Sequence, residues 1–303
     1  MDLRKKEVTM TENNQETNNS SREPLEPITS FDALHLSEPL LRSIKYHGYE
    51  TPTPIQAKAI PFVLNGRDIM AAAQTGTGKT ASFALPILEL LSTKEPVQDK
   101  QARVLILTPT RELASQILAS IEVYGKYMSV QTAVVFGGVN INPQKNRLKK
   151  GVDILVATPG RLLDLYRQKA IKFTHLDTFV LDEADRMLDM GFIHDIRKVL
   201  SFLPKNRQTL LFSATFSEDI RKLAKGIIKN PIEVSVAARN TTASTISQAV
   251  YHVKKSQKSA LLSHLVTQNS WDQVLVFTKT KHGANKLTDY LKRSRLKAVA
   301  IHG

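Results

Sequence analysis

The chain has 303 residues, of which 42% are hydrophobic, and 42 Lys and Arg stand against 28 Asp and Glu for a formal net charge of +14. No apolar run approaches membrane-spanning length, and the absence of cysteine excludes disulfides, thiolate zinc sites and cysteine nucleophiles. The first 30 residues hold four basic and six acidic side chains, a net −2, so the remainder carries +16 and points to a polyanion partner, above all nucleic acid.

Residues 1–30 are rich in Asn, Glu and Ser and nearly free of large apolar groups, which predicts a disordered polar tail without a secretion signal. From Phe31 the pattern alternates between apolar runs and amphipathic stretches. The runs "DIMAAA" (68–73), "RVLILT" (103–108), "TAVVF" (132–136), "DILVA" (153–157), "TFVLD" (178–182) and "TLLFS" (209–213) read as strands. The stretches 111–128 and 217–230 read as helices. Such alternation implies βαβ crossovers, and hence an α/β domain over 31–236 whose parallel sheet is covered by helices on both faces. The small polar residues 237–247 predict a linker. A second β-α-β-α-β series follows over 248–303, with "AVYHV", "QVLVFT" and "KAVAI" as its strands, and is too short for a complete domain.

Two motifs carry chemistry. "AQTGTGKT" (73–80) lies between a strand and a helix, where Thr75, Gly76, Thr77 and Gly78 can wrap backbone N–H groups around phosphates. Lys79 can reach the β- and γ-phosphates, and Thr80 can ligate Mg2+. "VLDEADRM" (180–187) begins as a buried strand and ends in carboxylates at the edge where ligands meet parallel sheets. Asp182 can hold Mg2+, directly or through water, and Glu183 can orient and deprotonate an attacking water. Together the motifs predict an NTPase. In "GYETPTPIQ" (48–56), Gln56 is suited to read adenine through N6 and N7, and Phe31, upstream, could stack on the ring. Tyr49 lies in the same segment.

With these residues the chain resembles the DEAD-box RNA helicase family, its bacterial RhlE-type branch in the wording of 155–236. The segment Asp182-Glu183-Ala184-Asp185 spells the family's name, and Ala73 opening the phosphate loop is the family's own form. The resemblance implies two RecA-like P-loop domains, ATP and Mg2+ as ligands, and RNA-dependent ATP hydrolysis with local duplex unwinding. It implies RNA-backbone contacts, independent of base sequence, from Pro109, Thr110 and Arg111, from Gly137 and Gly138, and from Thr158, Pro159, Gly160 and Arg161. It assigns Asp185, Ser213, Ala214 and Thr215 to coupling between the ATP site and RNA. "VFTKT" (276–280) resembles a second-domain motif at the RNA groove. The family's remaining motifs, with their arginine fingers, have no counterpart before Gly303. The expectation is therefore a cytoplasmic monomer whose second RecA-like domain is half absent, limited to binding ATP and, weakly, RNA. A nucleotide-dependent RNA clamp without helicase activity, or a non-functional remnant, is the competing reading.

Overall fold

The structure is a computed structural model that describes residues 28–73, 76–236, 247 and 249–302. The expected tail apart from 28–30, the expected linker apart from 247, and Thr75 lie outside the described residues. The chain divides into two units, Met1–Arg239 and Asn240–Gly303.

The first unit is built on seven strands: β1 (Ile69–Ala72), β2 (Ala102–Leu107), β3 (Thr132–Val135), β4 (Val152–Ala157), β5 (Thr178–Leu181), β6 (Gln208–Ser213) and β7 (Ile232–Ser235). All neighbours are parallel, in the order β3-β4-β2-β5-β6-β1-β7. The strands are nearly continuous apolar runs because both faces of the sheet are covered, so there is no solvent side to receive polar residues. On one face pack buried residues of α1 (Glu38–Tyr46), α2 (Pro54–Leu64), α3 (Lys79–Leu91) and α4 (Arg111–Tyr124). The Phe83 and Phe212 rings, 5.1 Å apart, join α3 to β6 in this layer. The other face carries α5 (Ile141–Leu148), α6 (Pro159–Arg167), α7 (Ala184–Asp189), α8 (Ile193–Phe202) and α9 (Glu218–Lys225).

Local sequence explains where these helices start. Thr110 caps α4 by accepting from the Leu113 N–H at 3.3 Å, and the buried Ala114, Ile117, Ile121 and Tyr124 then follow at helical spacing. Ser217 caps α9 in the same way, with Ile220, Leu223 and Ala224 turned inward. Asp68, just before β1, accepts from Thr209 N–H at 2.8 Å and Lys229 N–H at 2.9 Å, tying β1 to the start of β6 and to the turn before β7.

The second unit holds α10 (Lys258–Gln268) and α11 (Lys281–Arg293), which pack on each other, after a short 3-10 turn at Lys255–Gln257. Thr280 caps α11 through Gly283 N–H at 3.0 Å. The runs "AVYHV", "QVLVFT" and "KAVAI" correct the expectation of strands here: among the described residues 249–302 none forms a ladder. Leu275, Phe277, Val299 and Ile301 are 77–88% exposed. A parallel strand is stabilised only by neighbours on its edges and layers on its faces, and no described segment of this unit supplies either.

Candidate ATP and RNA site

Parallel strands with helical crossovers bring every strand's C-terminal end to one rim of the sheet. That rim is held level by hydrogen bonds between neighbours, each made where a site loop departs. Thr158 N–H donates to Val135 O (3.1 Å), Thr108 N–H to Ala157 O (3.0 Å), Asp182 N–H to Leu107 O (2.9 Å) and Ala73 N–H to Ser213 O (3.1 Å). The strand order sorts the motifs into halves. The loops after β3, β4 and β2 carry the residues assigned to RNA, and the ends of β5, β6 and β1 carry those assigned to ATP.

In the ATP half, Lys79 opens α3 and is 7% exposed, with Thr80 half-buried beside it and the exposed Gly76 and half-buried Thr77 leading into them. Gly78 sits at φ +89°, and a Cβ there would lie 2.3 Å from Gln56 Nε2, so only glycine fits. The Gln56 amide explains that crowding. Its Oε1 accepts from Thr53 N–H at 2.9 Å, closing the first turn of α2, and its Nε2 donates to Gly78 O at 3.1 Å. One N–H and one acceptor lone pair of the amide remain, the pair that adenine N7 and N6 require. Phe31, considered above for stacking on the ring, is 6% exposed and packs with the apolar core. Tyr49 is half-exposed, its ring 6.2 Å from that of Tyr124.

Asp182 and Glu183 are 5% and 8% exposed. Burial pushes the Asp182 carboxyl up to about 6; Lys79 draws it back down, while Glu183 and Asp185 push it further up. A desolvated carboxylate with a single ammonium nearby suits a divalent cation. Among the described residues no group of three His, Cys, Asp or Glu could hold a metal alone, so Asp182 and Thr80 fit an ion brought by phosphates. Glu183 takes a left-handed backbone (φ +51°, ψ +49°) ahead of α7, and its Oε2 accepts from Arg186 Nη1 at 3.1 Å. Asp185 turns away from this pair and accepts from Ala214 N–H at 3.0 Å. β6 thus touches both sides of the site: Ser213 O holds the start of the phosphate loop and Ala214 N–H holds the acidic segment. Ser213 Oγ is buried without a partner, and Thr215 is exposed.

The RNA half is more open. Arg111 is exposed at the start of α4, and its Nη1 would lie 2.7 Å from a Cβ on Gly138, whose φ is +80°. Thr158 precedes α6, with Pro159 at its first position and Gly160 exposed. Arg161 is already partly engaged: Nη2 donates to Val139 O at 2.8 Å, fastening the Gly137–Gly138 loop, while Nη1 is buried without a partner. Pro109 is buried and Thr110 Oγ1 is used as a helix cap.

Two residues outside the motifs belong to this construction. Gln144 brackets the Gly137–Gly138 loop from α5, its Oε1 accepting from Phe136 N–H and its Nε2 donating to Phe136 O, both at 3.2 Å. Thr108 is fully buried with an unpartnered hydroxyl, one residue past the β2–β5 register pair Leu107 and Leu181, and so beside Asp182. Gln144 has no signal in the sequence because its partner is defined only by the fold. Thr108 is marked only as a polar residue ending an apolar run.

Residues 53–223 match the family model described as DEAD/DEAH box helicase, more than half of the chain. The "DEAD-box ATP-dependent RNA helicase RhpA" of Helicobacter pylori is 42% identical over 274 residues, 90% of this chain and 55% of that protein. The "DEAD-box ATP-dependent RNA helicase CshA" of Bacillus cereus is 42% identical over 277 residues, 91% of this chain and 52% of that one. The chain therefore spans about half the length of these curated relatives. The crystal structure of a DEAD box protein from the hyperthermophile Methanococcus jannaschii matches with a TM-score of 0.65 and 38% identity, covering 91% of this chain and 73% of that one. With its phosphate-loop motif and acidic segment on one parallel rim, the chain belongs to the DEAD/DEAH box helicase family.

Proposed function

We propose that the rim binds Mg-ATP in one half and the backbone of RNA in the other, as part of an ATP-dependent RNA helicase. The observation that carries this reading is the link from Asp185 to Ala214 N–H, which joins the acidic segment to β6 while β6 holds the phosphate loop. In this reading Lys79 neutralises the β- and γ-phosphates, and Asp182 with Thr80 holds Mg2+. The ion would offset charge on the phosphate oxygens. Glu183, held by Arg186, aligns the attacking water and takes its proton. Arg111 and Arg161 contact RNA phosphates, which carry no base identity; Arg161 would have to turn its buried Nη1 outward to do so. The names of the relatives, ATP-dependent RNA helicases, support the substrate pair. Reading adenine falls to Gln56, and the protein is read as a monomer working in the cytoplasm.

Calorimetric titration of the chain with ATP, with and without Mg2+, tests the first half of this reading. Binding that depends on Mg2+ and is lost in Lys79→Ala supports it. ATP binding equal in the wild type and Lys79→Ala would refute the assignment of the phosphate loop.

A further inference from the structure

Away from the rim, α1 and the end of α4 bring together a cluster of cations and rings. Lys126 Nζ lies 3.7 Å above the centre of the Tyr46 ring, and Arg42 Cζ lies 4.4 Å above that of Tyr127. His47 meets Tyr46 edge-on at 5.2 Å, and Lys45 is exposed next to it. Tyr46 is 65% exposed, so a ring with a cation on one face presents the other to solvent. Glu38 and Glu122 stand one helical turn before Arg42 and Lys126, the usual spacing for ion pairs. No ion pair joins either of them to its cation among the described residues, and both cations rest on rings instead.

Tyr127 also lines a groove of about 670 Å³ with Lys94, Lys150, Gln131 and Asp153. A volume of this order accommodates a nucleotide. Gln131 and Asp153 lie at the beginnings of β3 and β4, so the groove opens at the sheet edge opposite the rim. Asp153 is already occupied, facing Arg103 Nε at 3.7 Å and accepting from Gln131 N–H at 2.8 Å.

We propose that this face is a second binding surface for single-stranded RNA, where bases stack on Tyr46 and Tyr127 and phosphates meet Arg42, Lys45 and Lys126. A cation held behind a tyrosine ring draws electron density from it and favours an electron-rich purine on the open face. Stacking on exposed aromatic rings beside basic side chains is how sequence-tolerant single-strand sites are made. The surplus of positive charge outside residues 1–30 exceeds what Arg111 and Arg161 use at the rim. The surface does not depend on RNA binding at the rim, and the two can fail separately.

The test is binding of a labelled oligoadenylate RNA to the full chain by fluorescence anisotropy, with Tyr46→Ala, Tyr46→Phe and Arg111→Ala variants. Tyr46→Ala is expected to weaken binding roughly 5- to 150-fold, the range for losing one stacked base, with ATP affinity unchanged. Tyr46→Phe should retain wild-type affinity, since stacking needs the ring and not the hydroxyl. Ultraviolet crosslinking should place a nucleotide on a peptide containing Tyr46 or Tyr127. Unchanged affinity in Tyr46→Ala overturns this surface, whatever Arg111→Ala does. Displacement of the RNA by polyglutamate at equal charge overturns it too, because an acidic peptide has no bases to stack. Weakening in Arg111→Ala alone leaves only the rim, and weakening in Tyr46→Ala alone leaves only this face.

Discussion

The two halves of the rim present charge in opposite ways. On the ATP half Lys79, Asp182 and Glu183 are each less than one-tenth exposed, whereas on the RNA half Arg111 is exposed and Arg161 half-exposed. Desolvated charges interact strongly and tolerate few partners, because each costs several kcal/mol unless compensated. Solvated charges interact weakly, respond to salt and accept any phosphate. In the proposed reading, one rim thus holds a selective small-molecule site beside an unselective polymer site.

The largest expected effect lies in the buried half. Removing the buried ammonium in Lys79→Ala should weaken ATP binding by roughly 10- to 150-fold, the range for a hydrogen bond to a charged group. RNA binding without nucleotide should stay within about twofold, as expected for sites far enough apart to act independently. Equal losses of both ligands in the variant would erase the distinction between the halves.

Next in size is base choice. GTP presents the O6 acceptor where ATP presents the N6 donor, so the free lone pair of Gln56 Oε1 is mispaired while its N–H still meets N7. One lost bidentate contact corresponds to about 1–3 kcal/mol, or roughly 5- to 150-fold in affinity. Competition calorimetry should show this preference in the wild type and its disappearance in Gln56→Ala. That variant also removes the Thr53 and Gly78 contacts, so a modest fall in melting temperature accompanies it.

Asp182 gives a prediction in pH. Its folded-state pKa of about 6 lies above the usual 3.8, so the folded protein keeps a proton that the unfolded chain has already released between those values. Stability of the nucleotide-free protein therefore falls as pH rises through that window and levels off above about 6. Asp182→Asn removes this effect and should match the wild type near pH 4. By pH 7 it should exceed it by up to about 3 kcal/mol in denaturant titrations without Mg2+. A stability difference independent of pH would mean that Asp182 ionises as an ordinary surface carboxyl does.

The smallest effect belongs to the solvated half. Arg111→Ala should lower the slope of log K for RNA against log salt by about 0.7, the contribution of one phosphate on a single strand. Relative affinities for different RNA sequences should not move. A variant that changes sequence preference would show that the loop reads bases.

Much of this comparison was legible in the sequence. The six apolar runs of the first unit lie within one residue of the observed strands, because a strand covered on both faces has no polar positions to blur its ends. Gly76–Thr80 and Asp182–Asp185 stood out because their spacing is fixed by the ligand rather than by packing. What escaped was whatever depends on partners distant in the chain. That β6 separates β5 from β1, that Gln144 brackets Phe136, and that Arg161 spends one nitrogen on Val139 are all products of strand order. The runs 273–278 and 297–301 carry the same apolar signature as β2 or β6, yet form no ladder among the described residues. An apolar run states a preference for burial; a strand also needs neighbours to pair with.

The row of hydrogen bonds from Val135 through Ser213 behaves as a stiff ruler laid across both halves of the site. Parallel ladders flanked by helices on both faces resist stretching, which favours a fixed spacing between Thr158 and Lys79. Communication between the two ligands must then run through parts that can turn without lengthening the ruler. A candidate part of that kind lies where the ladder ends at Ser213 and Ala214 N–H still holds the Asp185 carboxylate.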